Sequence, residues 1–154
     1  MPIPDFIVDL RRRIGHDPLW LAAVTAVVLR GNEVLLVRRS DNGAWSPVTG
    51  IIDPGEHPAT TAVREVAEET GVRCTVDQLV WVSVGDPVVH ANGDHAQYLD
   101  LVFRCHFVDG EARVADDESS DVGWFAVDDL PPLKPDLQER IEVALEHAGP
   151  ARLH

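Results

Sequence analysis

Apolar and polar positions recur along this chain with two different periods, and the changes of period mark its elements. Ile3, Phe6, Ile7, Leu10 and Ile14 stand at helical spacing ahead of Gly15, which predicts a short amphipathic helix over 3–14. Residues 20–29 are apolar and rich in β-branched side chains. Arg30-Gly31-Asn32-Glu33 then has turn chemistry and Val34-Leu35-Leu36-Val37 resumes the apolar run, so the stretch predicts a β-hairpin. Residues 40–47, with Asp41-Asn42-Gly43 among them, read as loop. The helical period returns over 57–70, where Ala59, Ala62, Val63 and Val66 form one stripe, Pro58 suits the first turn and Gly71 supplies the stop. Three β-rich stretches follow at 74–84, 97–108 and 122–127, and a last helix, over 135–147, carries Leu137, Ile141 and Leu145 at i, i+4, i+8. Strand-rich segments with one central and one terminal helix predict an α/β fold, a mixed β-sheet between helices.

The length of 154 residues suits one domain, expected over 1–154 with an N-terminal helical extension at 1–17 and a C-terminal helix at 134–148. Charge changes the picture more than length does. Thirteen Lys+Arg against 26 Asp+Glu leave a net charge of -13, which repels nucleic-acid backbones and anionic membranes. The one dense basic cluster, Arg11-Arg12-Arg13, reads as a solvated helix face. A polyphosphate ligand of so acidic a protein therefore needs a cation to mask its charge. Cys74 and Cys105 lack metal-ligand spacing and read as buried thiols of a reducing compartment, which points to the cytoplasm. No apolar stretch approaches the length of a membrane span, and Met1-Pro2-Ile3-Pro4-Asp5 lacks the basic start of a secretion signal.

The candidate chemistry lies in and around the 57–70 helix. From Gly50 the chain reads Gly50, five residues, Glu56, seven residues, Arg64-Glu65-Val66, one residue, Glu68-Glu69, one residue, Gly71-Val72. On a helix Glu65, Glu68 and Glu69 occupy i, i+3 and i+4, so their carboxylates are expected on one patch. Clustered hard oxygen ligands without His or Cys select Mg²⁺, or Mn²⁺, over zinc. Arg64, four residues before Glu68, can bridge the neighbouring carboxylates, Glu56 included, and fix their orientation. A solvated acidic face is the bland reading of Glu65 to Glu69 taken alone.

The whole spacing resembles the Nudix box, G-x5-E-x7-R-E-U-x-E-E-x-G-U, with U a bulky aliphatic residue. Seven fixed identities at about 7% each coincide by chance on the order of once in 10⁸ trials at a given register. The resemblance implies a Nudix hydrolase with the family's α/β/α sandwich. It also implies that the carbonyl of the residue before the box glycine, here Thr49, joins Glu65, Glu68 and Glu69 as a metal ligand. Many relatives have Gly-Gly where this chain has Thr49-Gly50. Gly50, Glu56 and Gly71 are the structural positions of the pattern. The implied reaction is metal-assisted attack of water on a P–O–P linkage, with the base either in the box, where Glu68 is the candidate, or in a later loop. Asp116-Asp117-Glu118 precedes the Trp124-Phe125 strand where relatives place an acidic residue, which makes Glu118 the loop candidate.

Substrate choice lies outside the box. Pro87, 15 residues after Val72, resembles the pattern of family members acting on ADP-ribose, and it is equally a turn former. Trp45, Trp81 and Tyr98 are the aromatic candidates for stacking on a base or ribose, against the alternative that they are core. Asn92-Gly93-Asp94 reads as a hairpin turn. Three functions follow: hydrolysis of a small-molecule nucleoside diphosphate such as ADP-ribose or a nucleotide sugar, pyrophosphohydrolysis of a nucleoside triphosphate, and a nucleotide-sensing domain without turnover. Many family members dimerise, so the resemblance admits a homodimer.

Overall fold

The computed structural model describes residues 3–154, so Met1 and Pro2 of the expected N-terminal extension lie outside the described residues. The elements are α1 (Asp5–Ile14), β1 (Leu19–Arg30), β2 (Glu33–Arg39), β3 (Trp45–Ser46), β4 (Val48–Ile51), α2 (Pro58–Thr70), β5 (Arg73–Val84), β6 (Val88–Val89), β7 (His95–Asp109), β8 (Ser119–Ala126) and α3 (Pro135–Glu146). The strands form one mixed sheet. Its spine is β3-β2-β1-β7-β5, with β4 paired to β1, β6 to β7 and β8 to β2. Strand β1 runs parallel to β7 and antiparallel to β2 and β4. It is buried on both faces, which is why it reads as a continuous apolar run instead of an alternation.

Helices cover the two faces. Val66 and Ala62 of α2 pack with Val24, Ala26, Val28, Leu35 and Phe103 on one side. Ile141 and Ala144 of α3 pack with Val27, Val34, Leu36, Val80 and Val102 on the other. This is the expected α/β/α sandwich, and the neighbouring β1 residues Val27 and Val28 serve opposite faces because successive strand side chains alternate. The 30–33 hairpin and the turn around Gly93 form where expected. Cys74 and Cys105 are both free and buried. Among the described residues, no helix is long and apolar enough to cross a membrane.

Two details differ from the sequence reading. The expected 40–47 loop contains β3, paired to β2, and is followed at once by β4, paired to β1. Pro47 separates the two pieces, and neither is long enough to show a period. Arg11 is not solvated with Arg12: it donates to the His95 carbonyl (2.8 Å) and lies 3.4 Å from Asp94, anchoring α1 beside the β6–β7 turn. Ile7 of α1 is buried on Leu21 and Ala96, whereas Ile3 and Leu10 stay exposed.

Candidate active site

Helix α2 ends as the sequence requires. Gly71 adopts a left-handed conformation (φ 71°) and its N–H reaches the Ala67 carbonyl, a position a β-carbon would strain. Gly50 is needed for space, since a Cβ there would collide with Cγ, Cδ and Oε1 of Glu65, the last at 2.6 Å. Glycine at 50 thus lets strand β4 lie directly against the Glu65 side chain. Thr49, beside it, pairs with Thr25 of β1.

Arg64 organises the acidic side chains. Its Nε and Nη2 donate to the two oxygens of Glu56 (2.8 and 2.9 Å), and its Nη1 donates to Glu65 Oε1 (3.0 Å) and Glu68 Oε2 (3.2 Å). Thr61 adds a hydrogen bond to Glu56 (2.8 Å). Hydrogen bonding from Arg64 holds the Glu56 carboxyl down at about 2.

The three box glutamates stand close enough to feel one another's charge but differ in exposure. Glu65 and Glu69 are 1% and 4% exposed, whereas the Glu68 side chain is 43% exposed and turned to Arg64. Arg64 Nη1 bridges the buried Glu65 and the outer Glu68. Burial pushes Glu65 up to about 7, with Arg64 opposing the shift and Glu68 and Glu118 adding to it. Burial pushes Glu69 further, to about 8, reinforced by the negative charge of Glu118, Glu65 and Asp116. Glu65 Oε2 is buried with no hydrogen-bond partner.

Of these carboxylates Glu65 borders a cavity of about 600 Å³. Thr49, Gly50, Glu65, Glu118 and Arg39 line one end. The acidic loop is fastened there by the Ser40 N–H donating to the Glu118 carbonyl (2.8 Å) and the Ser40 hydroxyl donating to the Asp117 carbonyl (3.0 Å). Sequence distance hides this juxtaposition of Glu118 with Glu65 and Glu69, although the acidic loop itself is visible in the chain. Arg39 is not. It holds Asp41 through two hydrogen bonds and feels the charge of Glu69 and Glu118.

Of the aromatic candidates, Tyr98 lines the cavity, and its hydroxyl lies 2.8 Å from His90 Nε2. Trp45 does not line it. The ring packs edge-on against Phe125 (centroids 4.8 Å apart) in the core beneath α3, a correction that follows from strand alternation, since the adjacent Ser46 takes the cavity side. Trp81 is likewise core, with the Arg152 guanidinium over its ring at 4.3 Å. Pro87 sits between β5 and β6 and directs the exposed Val88 and Val89 to the cavity rim.

Among the described residues no three Asp, Glu, His or Cys side chains form a ready-made coordination shell. The donor set nevertheless fits a hard divalent ion. Such an ion is bound through one or two carboxylates and completes its shell with water and substrate oxygens, and Glu65 offers a buried oxygen that nothing else satisfies.

The NUDIX domain family matches residues 20–147, which contain all of the sheet but Leu19, and the whole of α2 and α3. The chain belongs to the NUDIX family. It is a Nudix hydrolase, of a family that generally works with divalent metal ions. A MutT-like protein of Streptomyces ambofaciens is 36% identical over 135 residues, covering 86% of this chain and 82% of that protein. The NAD-capped RNA hydrolase NudC of Stutzerimonas stutzeri (strain A1501) is 34% identical over 122 residues, 78% of this chain, and this Nudix chain spans only 41% of that relative's length. Among solved structures, a UDP-X diphosphatase superposes with TM-score 0.72 at 24% identity, over 97% of this chain and 74% of that one. An ADP-ribose pyrophosphatase of Streptococcus suis gives 0.69 at 23%, over 87% and 98%. At those identities the likeness concerns the Nudix fold.

Proposed function

We propose that this Nudix hydrolase cleaves the diphosphate linkage of a nucleoside diphosphate derivative, ADP-ribose or a nucleotide sugar, with Mg²⁺ as the preferred ion. The observation that carries the reading is the pair of buried carboxylates, Glu65 and Glu69, of which Glu65 lines the cavity with one buried oxygen that no donor meets. Burying two such groups is costly unless a cation joins them.

Glu65 and Glu69 would hold the ion with the Thr49 carbonyl, and Glu68 would complete the set from the outer edge of α2. When bound, the ion supplies neutralisation of the diphosphate charge and a more acidic water. Arg64 keeps Glu56, Glu65 and Glu68 oriented without touching substrate. Arg39 brings positive charge to the same end of the cavity, where a polyphosphate would otherwise meet only acids. Glu118 lines the cavity and is the candidate base for the attacking water, with Glu68 the in-box alternative. Tyr98 offers a half-buried ring to the nucleoside.

Triphosphate pyrophosphohydrolysis is the second reading, since the same ion and carboxylates would serve attack on a P–O–P linkage of a triphosphate. A screen of ADP-ribose, nucleotide sugars, NAD-type dinucleotides and nucleoside triphosphates with Mg²⁺ separates them. Nucleoside monophosphate plus a sugar phosphate supports the first reading, and inorganic pyrophosphate supports the second. No turnover of any compound at saturating Mg²⁺ overturns both and leaves a nucleotide-sensing domain.

A further inference from the structure

The end of the cavity away from Glu65 holds a second polar cluster. Asp100 of β7 is 4% exposed. Its Oδ2 accepts a hydrogen bond from the Thr25 hydroxyl (2.8 Å) and lies 3.3 Å from Arg140 Nη1, which also donates to Thr25 Oγ1 (2.8 Å). Asp136, one turn earlier on α3, stands 3.6 Å from Arg140. Asp100, Asp136 and Arg140 all line the cavity.

The cluster is out of place as mere core. Along the same face of the sheet Leu21, Ala23, Val27 and Val102 are apolar and buried, whereas Ser83, opposite Asp100 on β5, and Tyr98, two residues before it, are half-buried where the face opens to the cavity. An apolar residue at 100 would continue that surface, and replacing a buried ion pair by packed hydrophobic residues is often neutral or stabilising. The charges occur where the cover of α3 gives way to the cavity. They are also unequally used: the partners of Asp100 meet Oδ2, and among the described residues no side chain donates to Oδ1. Thr25 and Arg140 fix the carboxylate and leave one acceptor oxygen for a visitor.

Its distance from the acidic end follows from the sheet. Thr49 of β4 pairs with Thr25 of β1, and Ala23, two residues earlier on β1, pairs with Asp100 of β7. Two strand spacings separate the β4 and β7 backbones, on the order of 10 Å, which is the reach of a nucleoside from its own diphosphate. The geometry points to Asp100 as a specificity-determining residue that accepts a hydrogen bond from an N–H or O–H donor of the nucleoside, with Thr25 and Arg140 as its positioning residues. This assignment rests on the nucleoside diphosphate reading above, and it names the group that selects among such compounds.

The test does not depend on turnover. Binding of AMP, GMP, UMP and CMP to the wild-type protein is measured by calorimetry in EDTA. The best ligand is then compared with its analogue lacking the base amino or ring N–H donor, and with its 2′-deoxy and 3′-deoxy forms. Loss of one donor is expected to weaken binding at least about tenfold, because a buried polar group is left unpaired. The base analogue or the sugar analogue that fails identifies which donor Asp100 meets. Asp100→Asn, checked for folding by thermal melting, is expected to erase that discrimination and, in the hydrolysis assay, to raise KM at least about tenfold with kcat within about threefold. Binding of every analogue within about threefold of the parent, or of none of the four nucleotides, overturns the assignment, and the wild-type analogue series decides even if the variant does not fold. Discrimination without hydrolysis of any diphosphate would keep Asp100 in this role and remove the hydrolytic reading. Hydrolysis with equal KM for the diphosphate sugars of the parent and analogue nucleosides would do the reverse.

Discussion

The two ends of one cavity solve the burial of a carboxylate differently. At one end Glu65 and Glu69 are nearly inaccessible and feel the negative charge of Glu118, while Glu65 shares Arg64 with Glu56 and Glu68 and Glu69 meets Arg39 only through its charge. At the other end Asp100 is equally inaccessible but has the Thr25 hydroxyl and Arg140, which it shares with the exposed Asp136. Burial raises the Asp100 carboxyl as it raises the glutamates, yet Arg140 and the Thr25 hydrogen bond oppose it. An acid with its own cation is a finished local structure whose remaining oxygen can recognise a neutral donor. Acids that lack one are finished only by an ion from outside, and that ion is what a diphosphate can also bind.

The difference can be broken in several ways. Glu69→Gln should cost at least about a hundredfold in kcat with Mg²⁺ while the protein still melts cooperatively; EDTA should abolish wild-type activity reversibly. Near-normal turnover by this variant would contradict the metal role. Arg140→Met should do the opposite, lowering stability by about 2 kcal/mol because Asp100 is left without its partner, with a loss the same in Mg²⁺ and in EDTA. A loss that Mg²⁺ rescues would mean that the two ends are one electrostatic unit.

Proton linkage sharpens the same contrast. Glu65 and Glu69 titrate near 7 and 8 when folded, against 4.5 ordinarily, so between those limits the folded chain holds protons that the unfolded chain has lost. Metal-free stability is therefore greatest at pH below about 4.5 as far as these groups decide it, and falls as pH rises to about 8. Melting in EDTA should drop by about 5 °C from pH 5 to pH 8, and Mg²⁺ should restore most of it at pH 8. A flat profile would mean that the two carboxylates are already compensated. The smallest expected effect is at the loop: Glu118→Ala should slow turnover by about tenfold. A smaller effect would assign the base to Glu68.

Much of the acidic end was legible in the linear chain because its parts are local. Glu65, Glu68 and Glu69 follow from helical spacing, Arg64 from its position one turn before Glu68, and the fold class from the succession of apolar periods. Glu118 was legible as an acidic loop, but its approach to Glu69 depends on the Ser40 hydrogen bonds across the sheet. Trp45 was mistaken for a ligand contact because composition gives a residue type and no direction. Asp100 and Thr25 leave a faint signal, polar residues inside apolar strands, but a lone polar position within a strand has many explanations.

By itself the chain determined the helix that carries the glutamates, the glycine that ends it and the acidic charge that calls for a cation, since each depends on spacing of a few residues or on totals. Only the tertiary structure decided which carboxylates are dry, which arginine each one meets and how far Thr49 lies from Asp100. Those depend on strands β4, β1 and β7 lying side by side, and pairing between residues dozens of positions apart is set by the packing of the whole sheet.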